Sequence, residues 1–177
     1  MIYFVGNKNF INTFKQAQIE DVVKYCEDKD ILGVDTETEG MDFTCKKMIM
    51  FQIGDEENQF VIDTRCVSIE PLKDILESKN NIKILQNAKF DYKFIKRWAN
   101  IELSSVYDTY LVERVLNCGK KGLRYSLGAL VEKYCDSTLD KSTRNQFVRL
   151  EGKPYTAKQI EYGALDVKYL CQIRQSQ

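Results

Sequence analysis

Hydrophobic and polar positions change period several times along the chain, and each change predicts an element. Residues Ile19 to Asp28 (IEDVVKYCED) place Val22, Val23 and Cys26 on one side at helical spacing, which predicts an amphipathic helix. Ile31 to Thr38 (ILGVDTET) is a short apolar run that ends in carboxylates and reads as a buried strand. Met48 to Gly54 (MIMFQIG) and Asn58 to Asp63 (NQFVID) are two more strands, and the acidic turn GDEEN between them predicts an antiparallel meander. Ile69 to Ser78, with a proline in its first turn, reads as a helix. Ile82 to Gln86 (IKILQ) is a further buried strand, and Phe90 to Trp98 a helix. A short strand at Ser105 to Tyr107 leads into a helix through Leu116, Gly119 to Gly122 is a loop, and a helix over Ser126 to Tyr134 turns Leu127, Leu130 and Val131 inward. Asp136 to Lys153 is polar and irregular. The last helix starts at Thr156, an N-cap with Gln159 three places on, and runs to about Cys171. Three strands followed by alternating strand and helix imply an α/β fold with a mixed five-stranded sheet flanked by helices.

At 177 residues the chain has the length of a single domain spanning residues 1–177. Composition narrows the chemistry. The chain has 0 histidines, which excludes a serine–histidine triad, a histidine-ligated zinc and a histidine general base. Its 6 cysteines are scattered with no Cys-x-x-Cys pair, so reduced thiols are expected rather than a zinc site or a disulfide framework. No apolar run is long enough to span a bilayer, and the start MIYFVGNKNF lacks the pattern of a secretory signal, so no membrane association and a cytoplasmic location are expected. Net charge is +0, so any nucleic-acid binding has to come from a local basic face. GKKGLRYS lacks the P-loop pattern, and no Gly-x-Gly-x-x-Gly is present to support a dinucleotide site.

The remaining candidates are carboxylates. In Asp35-Thr36-Glu37 the two acids are two apart on a strand and so share a face. Carboxylates held that close repel each other unless a cation sits between them or one is protonated, and hard oxygen ligands suit magnesium or manganese. A solvated acidic strand end is the alternative. Asp91 opens the helix after IKILQ, where an acid also suits the helix dipole. Tyr162 and Asp166 are four apart on the last helix and share a face; a solvated aspartate beside a packing tyrosine is the alternative there.

Together, ILGVDTETEG, LQNAKFDYKFI and IEYGALDVKYL resemble the three motifs of the DEDD superfamily of 3′→5′ exonucleases, which have the RNase H-like (DnaQ-like) fold. The tyrosine four before the last aspartate resembles the DEDDy subgroup, and SLGALVEKYCDSTLDKSTRNQF resembles the stretch ahead of the third motif in ribonuclease D and Werner-type exonucleases. The resemblance spans Ile31 to about Ile173. It implies two divalent cations, Mg2+ or Mn2+, with Asp35, Glu37 and Asp166 on the first, Asp35 bridging to the second and Asp91 reaching that one largely through water. It implies that Tyr162 orients the attacking water; a phenol with an ordinary pKa of about 10 keeps its proton at neutral pH and so positions water rather than deprotonating it. Met41 falls where the family wedges an apolar side chain against the terminal base, with a core methionine as the alternative, and Asn87 falls where relatives hold an asparagine near the substrate. Thr36, Phe90, Lys141 and Arg144 complete the implied substrate-binding set. Asp108 corresponds to a structural acid, expected to cap the helix that begins at Thr109. Lysines and arginines around the second motif and between the second and third form an expected basic face, with Tyr125, Phe147 and Tyr155 available to stack bases. The implied partner is the 3′ end of a nucleic acid, with DNA favoured because DTETEGMD also resembles the proofreading domain of family A DNA polymerases. An RNA-processing, ribonuclease D-like enzyme and a non-catalytic nucleic-acid-binding module are the other readings. A polymerase, or a replication or processing factor, is the protein partner the resemblance suggests.

Overall fold

The computed structural model describes residues 1–7, 13–118, 120–140, 143–150 and 152–177. Seven strands form one sheet: β1 (Ile2–Val5), β2 (Lys15–Gln16), β3 (Ile31–Thr38), β4 (Met48–Gly54), β5 (Gln59–Asp63), β6 (Ile82–Leu85) and β7 (Val106–Asp108), in the order β2-β1-β5-β4-β3-β6-β7. The helices are α1 (Ile19–Glu27), α2 (Lys73–Glu77), α3 (Lys89–Ala99), α4 (Thr109–Leu116), α5 (Leu127–Tyr134), α6 (Ala157–Lys168) and α7 (Leu170–Ser176).

The meander expected from the GDEEN turn is present: β3 pairs antiparallel with β4, and β4 antiparallel with β5. Every residue of β4 and β5 is buried, as befits strands covered on both faces. From β3 the sheet continues parallel through β6 to β7. The sheet has seven strands rather than the expected five, because β1 adds parallel to β5 and β2 adds parallel to β1. The β1 segment is made of strand-forming residues that the pattern reading passed over, whereas β2 carries no local signal. IYFV is only four residues long, and the two residues of β2 are both polar. Their pairing is fixed by partners distant in sequence. The expected last helix is two helices meeting at Tyr169, and the expected helix over Ile69 to Ser78 is a 3-10 turn (Glu70–Leu72) followed by the short α2.

Helices cover both faces. Val22 and Cys26 of α1, Leu76 of α2 and Phe94 and Ile95 of α3 share one core with Leu32, Val34, Phe51 and Ile62 of the sheet. On the other face Ile160 and Ala164 of α6 pack with Phe4, Ile49, Met50 and Val61. Lys83 of β6 is fully buried, yet its ammonium donates to the carbonyls of Ile75, Ser78 and Asn81 and to the Asn81 side chain at 2.6–3.3 Å. That pins the end of α2 to the sheet and leaves the charge fully hydrogen-bonded. No helix among the described residues is long and apolar enough to cross a membrane.

Candidate active site

The carboxyl end of β3 is the centre of the site. Register places Asp35 opposite Gln52 and Glu37 opposite Met50 on β4, so both acids stand on the α6 face of the sheet. The ladder slips between Glu37 and Thr38, an irregularity of the kind that re-aims side chains at a strand end. Helix α6 crosses close above. A Cβ built on Gly33 would lie 2.7 Å from the carbonyl oxygen of Val167, and one on Gly163 would lie 2.7 Å from Nε2 of Gln52. At Gly33 the clash is with backbone, so a larger residue there would push the helix off the sheet, whereas at Gly163, between Tyr162 and Asp166, it is with side-chain atoms. Local order supports the start of the helix: Thr156 and Gln159 form the expected capping box.

This approach brings Asp166 to the β3 acids. Asp35, Glu37 and Asp166 each offer an oxygen, and the three oxygens lie within 4.8 Å of one another, with Asp166 buried. Asp91 stands outside that set. It reaches β3 from the α3 side, where the Thr36 hydroxyl donates to its Oδ1 at 2.6 Å. Asp91 is 3% exposed, and burial pushes its carboxyl up to about 7, opposed by the Thr36 hydrogen bond. The four acids thus meet as a group of three and one attached to the same tripeptide through Thr36. Thr36, placed among the substrate contacts by its motif, is itself buried with its hydroxyl given to Asp91.

Asp108 organises the approach to Asp91. Its carboxylate caps α4 by accepting from the amides of Tyr110 and Leu111, as expected. It also accepts from the amides of Asn87 and Ala88 at 3.0 and 2.9 Å, which fixes the turn into α3. Asn87 sits in the left-handed region at φ 61, a conformation asparagine tolerates better than most residues. Met41, Asn87 and Phe90 line one cleft of about 170 Å³ with Phe43, Lys89, Lys93 and Phe94. Met41 is 76% exposed, so it is a rim residue and not a core methionine.

Other expectations fare differently. Lys141 lies outside the described residues, as does the side chain of Arg144, whose backbone opens a 3-10 segment at Arg144–Arg149. Phe147 and Tyr155 do not offer rings for base stacking: they are 1% and 4% exposed and belong to the core under α6. An aromatic residue in a polar, irregular stretch carries no periodicity to show which way it faces, and here tertiary packing takes both rings inward. Tyr125 is half-buried, edge-on to Tyr110. Among the basic residues, Lys96 pairs with Glu102 and Arg124 with Glu132, whereas Lys89 and Lys93 line the cleft. Sequence reasoning missed Gly33, Gly163 and Gln52, whose amide is fully buried beneath α6 with neither polar atom hydrogen-bonded. An isolated glycine in a strand or helix pattern was the available signal for the first two.

Residues 10–176 match the family described as 3'-5' exonuclease, of the DNA polymerase A type. The chain is 30% identical over 150 residues to DNA polymerase I of Aquifex aeolicus, covering 84% of this chain and 24% of that protein. It is 29% identical over 168 residues to ribonuclease D of Desulfotalea psychrophila, covering 92% of this chain and 42% of that protein. The chain therefore spans less than half the length of either relative. Among solved structures it superposes on Escherichia coli RNase D, an exoribonuclease involved in structured RNA processing, with a TM-score of 0.77 and 25% identity, covering 89% of this chain and 41% of that one. The matched residues take in every element that carries the acids, and on that match the chain belongs to the 3′-5′ exonuclease family of the DnaQ-like fold.

Proposed function

We propose that the chain hydrolyses the terminal phosphodiester bond at the 3′ end of a nucleic-acid strand and releases mononucleotides. The observation that carries this is the convergence of Asp35, Glu37 and Asp166 within 4.8 Å. The DnaQ-like exonuclease family is divalent-metal dependent, and the donor set here fits such an ion. Three carboxylates this close repel one another, and an all-oxygen site suits Mg2+ or Mn2+. Asp35, Glu37 and Asp166 would hold one cation, and Asp91, held by Thr36 on the α3 side of the strand, would reach a second largely through water. When bound, such cations activate the attacking water and stabilise the leaving 3′ oxygen. The chain's own groups do the rest. Tyr162, one helical turn before Asp166, holds the attacking water by its hydroxyl. Met41 and Phe90 offer apolar surface to the terminal base, and Lys89 and Lys93 offer charge to the strand.

DNA is the first substrate reading. RNA is the second, favoured by the ribonuclease D relative. Association with a polymerase or an RNA-processing assembly belongs to the same proposal, as does an intracellular location, which six free thiols support. The test uses end-labelled DNA and RNA of one sequence, with Mg2+ or Mn2+. Nucleotides should leave one at a time from the 3′ end, and Asp35→Ala or Asp166→Ala should abolish release while the fold is retained. Variants that digest as fast as wild type would overturn the assignment and favour a non-catalytic binding module.

A further inference from the structure

Tyr162 is supported from the side by residues that have no place in the metal chemistry. Its ring lies 6.0 Å from that of Phe147, which in turn lies 6.4 Å from that of Tyr155. The Arg65 guanidinium covers the Tyr155 ring at 3.9 Å. Each outer member is fixed. The Tyr155 hydroxyl donates to the carbonyl of Ile49 on β4 at 2.6 Å. Arg65 donates through Nε and Nη2 to the two oxygens of Asp63, each at 2.7 Å, and through Nη1 to the carbonyl of Lys153 at 2.7 Å. Asp63 is 2% exposed and pairs with Met50, which pairs with Glu37. The row therefore runs from the acids across the sheet to Arg65 and back along the rings to Tyr162.

We propose that the stack Phe147–Tyr155–Arg65 sets the orientation of the Tyr162 phenol, and that these three are positioning residues for the hydrolysis. The proposal rests on the exonuclease reading. The rings are tilted at 46° and 53°, so each packs against its neighbour's face and edge, and the guanidinium on the Tyr155 ring adds a cation–π contact with a rigid, bidentate anchor. The phenol oxygen stands at the far end of its side chain, so a small tilt of the ring is magnified there. A misplacement of about 1 Å in a reacting geometry can cost on the order of a hundredfold in rate. Tyr162 sits on α6 one turn from Asp166, so the stack reads out on the water-holding hydroxyl while the helix itself fixes the carboxylate.

A kinetic cycle tests this with the full chain, a 3′-end-labelled single-stranded oligonucleotide and Mg2+, comparing wild type, Phe147→Leu, Tyr162→Phe and the double variant. Phe147→Leu is expected to lower kcat about tenfold with KM changed by less than about twofold. In the Tyr162→Phe background the same substitution is expected to cost less than about twofold, because the hydroxyl it misplaces is gone. Equal losses in the two backgrounds overturn the positioning role. Should Phe147→Leu fail to fold, Arg65→Lys keeps the charge but gives up the planar face and the forked contact. Its cycle is read in the same way: a loss confined to the wild-type background supports the positioning role, and equal losses overturn it. Wild-type protein that releases no nucleotide sinks the exonuclease reading and this proposal with it, a result distinct from equal losses.

Discussion

A carboxyl buried as deeply as that of Asp91 resists ionising, because no water is present to solvate the charge. The Thr36 hydroxyl and the backbone of Thr36 and Asp91 hydrogen-bond to it, and those bonds do not offset the burial: the carboxyl stays up at about 7. In an unfolded chain an aspartate titrates near about 4. The metal-free fold thus holds this proton more tightly than the unfolded chain does, and its stability falls as pH rises from about 4 through about 7. A divalent cation demands the ionised form, so the sign reverses for binding. The rise in Tm on adding Mg2+ is expected to grow between about pH 5.5 and about pH 8, and Thr36→Val, which removes a donor that favours the carboxylate, should move the midpoint upward. Thermal melts across that range, with Mg2+ and with chelator, decide it. A metal response that is flat with pH would mean that Asp91 does not titrate on loading.

At the scale of elements, the site depends on how closely α6 approaches β3 and β4, and two glycines set that distance. They are not equivalent. A methyl at Gly33 meets a backbone oxygen, that of Val167, which yields only if the helix shifts. At Gly163 it meets side-chain atoms of Gln52 and Met50, and alanine at a helix interior regains about 1 kcal/mol of propensity. Gly33→Ala should therefore destabilise by about 1–3 kcal/mol in urea unfolding, with Gly163→Ala costing less. An equal cost at both positions would show that the clash with Val167 does not govern the spacing. The sequence displayed such features unevenly. Strands β3, β4 and β5 were legible because burial leaves unbroken apolar runs, and the grouping of Asp35, Glu37 and Asp166 because each lies in a short motif tied to one element. The places of β1 and β2 in the sheet were not, since their order comes from pairing with β5 and with each other. Nor was the inward turn of Phe147 and Tyr155, which no local spacing records and which only the sheet beneath them explains.

For the molecule as a whole, the grouping of the acids predicts a stability cost that a bound cation would relieve. Three carboxylate oxygens within 4.8 Å repel, and with a net charge of +0 the chain has no bulk positive field to soften that repulsion. Asp35→Asn removes one charge and keeps the shape. Without metal the variant is expected to melt above wild type, by about 2–4 °C for each kcal/mol of repulsion relieved in a chain of this size. With metal the order inverts. Wild type gains about 2.7 kcal/mol when Mg2+ stands at about a hundred times its dissociation constant, whereas the variant, short of a charged ligand, gains much less. Melting curves of both proteins in chelator and in Mg2+ make the comparison, and the informative quantity is the crossing. If Asp35→Asn is the less stable protein in chelator, then repulsion is not what the metal relieves, and the acids are held apart by the hydrogen bonds around them. If the variant gains as much from Mg2+ as wild type, Asp35 does not bind the ion. A crossing, by contrast, follows only if the same three oxygens both repel in chelator and hold the cation in Mg2+. Each separate outcome has another explanation, and the inversion joins the geometry of the acids to their chemistry.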